Sequence, residues 1–139
     1  MNIKYIVSYL GLIPFIFLSI DGYFIALLEV QLIQNLAIIM SCIIFTFIGA
    51  YNWNFKVDFN LLEFYGFIPS LLSMIILTVN IFDSSKYYLF NAMILFLFIQ
   101  LLIDIFLSLK DIFPMKYLIT LRVPVTLILT ANLFVISQL

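Results

Sequence analysis

The chain has no histidine, one cysteine and one tryptophan. Without histidine, imidazole-ligated metal sites, Ser-His-Asp triads and switches near neutral pH are excluded. Cys42 on its own closes disulfide and CxxC chemistry, and its place in an apolar run makes it a buried, inert thiol. Charge is scarce as well. Only 9% of residues are charged, and six basic against seven acidic side chains leave a net charge of −1, with no pull on nucleic acid. No carboxylates are spaced as an acid–base pair or a ligand set, so no catalytic residue, metal or cofactor is expected.

What fills the sequence is apolar: 66% of its 139 residues are hydrophobic. A soluble domain of this length needs a far more polar exterior. The surplus must face lipid, and a span takes about 20 residues. The expectation is a single all-α membrane domain, a bundle of five transmembrane helices with short loops, at about 3–20, 32–53, 61–82, 87–109 and 115–135. The N-terminal run has one lysine ahead of it but no small-x-small cleavage site, so it reads as a retained span. The lack of an Arg/Ser-rich transit segment favours a bacterial protein.

Along the chain, Pro14 should kink the first helix, which ends at the turn Asp21-Gly22. Ser8, Gly11 and Ser19 share a face with Phe15, a pattern that lets a neighbouring helix come close. The segment from Tyr23 to Asn35 gives a mixed signal and is placed at the outer interface. Cys42, Thr46, Gly49 and Trp53 line one face of the second helix. Gly66, Ser70, Ser73 and Asn80 form a stripe on the third, which Pro69 should kink and Glu63 should open. Tyr65, Tyr87, Tyr88 and Tyr117 sit at helix ends and read as interfacial belts.

Lys4, Lys56, Lys110 and Lys116 fall on one side of a five-span topology and Lys86 on the other. The positive-inside rule then puts the N-terminus in the cytoplasm and the C-terminus outside. On that topology the outer half has Asn80, Asn91 and Asn132 near its rim but no charge at depth.

The polar centre lies in the last hairpin. Gln100, Asp104 and Ser108 recur at i, i+4, i+8 on the fourth helix, and Arg122, Thr126 and Thr130 do so on the fifth. Asp104 and Arg122 are equally far from the midpoint of the turn between them, so an antiparallel hairpin brings them to one depth. A charge at mid-helix costs about 2.5–3.5 kcal/mol on insertion scales, so the two are best tolerated facing each other. Two readings stand: an ion pair that fixes helix register, or a polar pocket open to the cytoplasm. Pro14, Gly49, Gly66, Pro69 and Ser70 map to the same half and, with Gln100 and Thr126, are candidates to line such a pocket. Asn52 and Trp53 form a second candidate, either a pocket wall or an interfacial anchor.

The landmarks GLIPF (11–15), FIGAYNW (47–53), GFIPSLL (66–72), Asp104 and PMKYLITLRVPVTL (114–127) occur in this order. Together they resemble the transmembrane protein 69-like family, a domain of unknown function in bacterial and mitochondrial inner membranes. The family pattern has histidine before the tryptophan of the second motif, where this chain has Asn52. The resemblance implies a small multi-pass membrane protein and supplies no reaction. The function expected is non-enzymatic: an accessory, assembly or scaffold protein with the lipid bilayer and other membrane subunits as partners. The alternative is a small carrier or channel around Asp104 and Arg122, although no internal repeat of the kind transporters show is visible.

Overall fold

The computed structural model of the chain describes residues 3–50, 60–82, 86–110 and 114–139, with their side chains except at 4 and 60–64. These residues are helical nearly throughout. Among the described residues five helices are long and apolar enough to cross a membrane: α1 (Tyr5–Ile25), α2 (Val30–Ala50), α3 (Asn60–Phe82), α4 (Lys86–Leu109) and α5 (Met115–Ser137). The protein is an all-α membrane bundle. Its near end holds the starts of α1, α3 and α5 and the ends of α2 and α4.

The helices do not share the interior equally. α2 packs most extensively on α3, and α4 on α5, while α1 lies along α5. Phe15, Ile33, Ile38, Phe90, Met93, Leu97, Leu129 and Leu133 are fully or almost fully buried and form the main core with Ile76 of α3, so that all five helices contribute to it. A smaller cluster of Leu101, Leu107 and Leu118 closes the near end between α4 and α5.

Proline and its orphaned carbonyls explain the irregular places. α1 breaks at Gly11-Leu12, just ahead of Pro14, where Leu12 N–H turns back to the Tyr9 carbonyl three residues away (3.1 Å). In α5 the segment Leu118–Arg122 widens into a π-turn before Pro124. Pro124 has no N–H to give the carbonyl four residues earlier, that of Thr120. Tyr9 supplies the donor from α1, its hydroxyl 2.8 Å from the Thr120 oxygen, and Tyr5 reaches the Thr120 hydroxyl at 2.9 Å. Tyr9→Phe should therefore cost about 1 kcal/mol in thermal unfolding, as for a typical lost hydrogen bond. In a Pro124→Ala background, where the carbonyl regains a backbone donor, the same change should cost much less.

The far end corrects two expectations. α1 does not stop at Asp21-Gly22 but continues through a π-turn, Asp21–Ile25, and ends where Ala26 takes a left-handed conformation (φ 56°). Asp21 is fully buried, so the half of the bundle expected to hold no buried charge does hold a carboxylate. Its two oxygens accept the N–H groups of Leu27 (3.2 Å) and Leu28 (2.9 Å), and its carbonyl accepts that of Ala26 (2.7 Å). One residue thus satisfies three backbone donors in the chain reversal between α1 and α2.

The C-terminal end of α5 is fastened beside this reversal. Tyr23 donates to the Val135 carbonyl (2.9 Å), Ser19 to the Asn132 side chain (2.8 Å), and Leu139 covers Gly22. α2 begins at Val30, two residues before the expected start, and its expected end at Trp53 lies outside the described residues. Lys86, at the start of α4, donates to the Asn80 carbonyl (3.1 Å) and side chain, fastening the end of α3.

Candidate functional site

Asp104 and Arg122 face each other across the α4–α5 contact, with Arg122 Nε 3.7 Å from Asp104 Oδ2. Both are buried, at 1% and 7% exposure. That separation makes an ion pair rather than a short hydrogen bond. One turn before Asp104 on the same face, Gln100 donates from Nε2 to Asp104 Oδ1 (3.3 Å). Its amide orientation is set by Tyr65 of α3, whose hydroxyl donates to Gln100 Oε1 at 2.7 Å. On the other side Arg122 Nη2 reaches the Ile48 carbonyl of α2 at 3.5 Å, and the guanidinium carbon lies 5.9 Å from the Tyr117 ring centre.

The result is a polar chain, Tyr65–Gln100–Asp104–Arg122–Ile48, that joins α3, α4, α5 and α2 at one level. One turn beyond Asp104, the buried Ser108 hydroxyl meets no hydrogen-bond partner among the described residues. Chemically the arrangement can hold charge but offers little access. Asp104 is enclosed, and its two oxygens face the amide and the guanidinium.

A groove of about 600 Å³ lies between the near halves of α1 and α2, with α5 as its floor. Ser8 and Gly11 line it from α1, Phe47 and Ile48 from α2, and Tyr117 and Arg122 from α5. Ser8 and Gly11 were expected to let a helix come close; here they line the groove. The groove exists because α1 meets α2 only sparingly and follows α5 instead.

The remaining candidates divide by place. Pro14 is exposed and does not line the groove, contrary to expectation, because the break falls at Gly11-Leu12 and Pro14 starts the outward face of the next turn. Gly49, Gly66 and Pro69 are buried together at the α2–α3 crossing, where they form a tight contact instead of a pocket wall. Ser70 is half-buried beside Pro69, and Thr126 is buried one turn after Arg122 with its carbonyl accepting the Thr130 hydroxyl at 2.8 Å. Asn52 and Trp53 lie outside the described residues, as do Lys56, Asp58 and the side chain of Glu63.

Tyr65 and Tyr117, read as interfacial belts, turn inward to the polar chain, whereas Tyr87 and Tyr88 are exposed. The available signal for Tyr65 was its spacing, since Pro69 and Ser73 follow it at i+4 and i+8 on one helix face. Comparison with protein-family models, curated proteins and solved structures finds no match.

Proposed function

We propose that the protein is a non-enzymatic accessory, assembly or scaffold component of a bacterial inner membrane, with its N-terminus in the cytoplasm. The lysine distribution supports the orientation, and the motifs that resemble the transmembrane protein 69-like family agree with a small multi-pass protein of this kind. The observation that carries the reading is the closed state of the ion pair. Asp104 is 1% exposed and Arg122 7%, and their partners come from the protein's own helices. Such a pair fixes how α2, α3, α4 and α5 stack.

The outer faces of α1 and α3 suit contact with other membrane components. Phe67, Leu71, Met74 and Ile75 project from α3 as an exposed apolar strip. One observation favours the carrier reading: the groove reaches Arg122, although its walls are mainly apolar.

Two measurements decide between the readings. A photo-crosslinker at Leu71 or Ile75 in intact membranes should give a discrete adduct with another membrane protein. Vesicles holding only the purified protein should take up labelled small anions no faster than empty ones. Uptake above that level, abolished by Arg122→Gln, would make the protein a carrier.

A further inference from the structure

We propose that the groove between α1, α2 and α5 binds one anionic phospholipid of the near leaflet, with an acyl chain in the groove and the phosphate beside Arg122. The groove's size fits this occupant. It runs along the N-terminal helix from Ile3 to Gly11, eight steps or about 12 Å at 1.5 Å per residue. An acyl chain is slender enough to lie within it.

The polarity of the groove runs the right way. Side chains on a helix lean toward its N-terminus, so Arg122 leans toward the near end of α5. Its guanidinium accordingly sits 5.9 Å from the ring of Tyr117, more than a turn nearer the membrane surface. Deeper in, Gly11, Ile43 and Val125 offer only hydrocarbon and backbone. The cation is therefore at the mouth and the apolar slot below it, the order in which a phospholipid presents phosphate and tail.

Asp104 does not reverse the sign seen from the groove. It is 1% exposed and absent from the groove wall, whereas Arg122 is part of that wall. Lys116 falls in the first turn of α5, at the same end. A phosphate near Arg122 would meet a basic rim.

The test uses the full chain purified in maltoside micelles, with unfolding followed by a maleimide dye on Cys42, which is 1% exposed when folded. Dimyristoylphosphatidylglycerol should raise the unfolding midpoint by on the order of 5 °C at saturation. Phosphatidylcholine with the same chains, and myristate alone, should raise it far less. Gly11→Leu should abolish the phosphatidylglycerol shift, because a Cβ at Gly11 meets nothing nearer than its own helix carbonyls at 3.4 and 3.6 Å, so the side chain projects into the groove. Val7→Trp, at an exposed groove wall, should do the same, and Ile81→Trp, on the outer face of α3, should leave the shift intact.

Each shift is read against that variant's own lipid-free midpoint, so altered stability does not imitate lost binding. An equal response to phosphatidylcholine would overturn the role of the anionic head, and an equal response to myristate would make a free fatty acid the occupant. A shift that survives both Gly11→Leu and Val7→Trp would overturn the groove as the site.

Discussion

Arg122→Leu should destabilise the protein by about 3–5 kcal/mol, the range found when one partner of a buried ion pair is removed. The cause is the charge left behind. Asp104 would remain enclosed between α4 and α5, with the Gln100 amide at 3.3 Å as its remaining hydrogen bond. Asp104→Leu should cost less, because the guanidinium it strands already lies near the Ile48 carbonyl and the Tyr117 ring and can lean further toward the near end. The double change to leucine should recover most of the loss from Arg122→Leu. It removes both desolvated charges, and apolar replacements for a buried pair are commonly neutral or stabilising.

Thermal unfolding read by Cys42 labelling, together with the amount of protein accumulated in membranes, would rank the four forms. If the double variant were no better than Arg122→Leu, the two charges would not be compensating one another.

The depth match of Asp104 and Arg122 was legible because it needs only chain arithmetic. Two residues equally distant from a short turn face each other in an antiparallel hairpin. Span number was legible for a similar reason, since bilayer thickness sets how many spans a chain of this length can hold. Asp21 was not. An Asp-Gly pair signals a turn, and the helix instead ends at Ala26, a residue with no preference for the left-handed conformation it adopts. What holds that end is the Asp21 carboxylate reaching Leu27 and Leu28, a contact no spacing rule anticipates.

The groove was hidden for a broader reason. In lipid the outer face of a helix is as apolar as its inner face, so the periodicity that separates core from surface in soluble proteins is missing. Ser8 and Gly11 could equally have seated a helix or faced a gap. Only the position of α1 along α5, fixed in part by Tyr5 and Tyr9 on Thr120, decides between them.

The α2–α3 crossing is where a small-residue signal does correspond to close approach, and Gly49 should be its most sensitive position. A Cβ built there would lie 2.7 Å from the Gly66 carbonyl oxygen and 2.7 and 2.9 Å from Cγ and Cβ of Pro69. None of these is the tip of a flexible chain; one is backbone and the others belong to a ring. Gly49→Ala can be accommodated only by moving α3 away from α2, so it should cost about 1–3 kcal/mol, the usual range for overpacking. Gly49→Leu should cost more.

The separation would also pull apart the polar contacts one turn along, where Ser73 donates to the Cys42 carbonyl at 3.1 Å and the Thr46 hydroxyl to Ser73 at 3.2 Å. Cys42 would lose its cover from α3, and its labelling rate below the unfolding midpoint should rise. Ala50→Leu, at the exposed neighbouring position, should leave both readouts unchanged. A Gly49→Leu protein with an unaltered midpoint and a protected thiol would mean that the two helices can part without cost, and that the glycine does not set their distance.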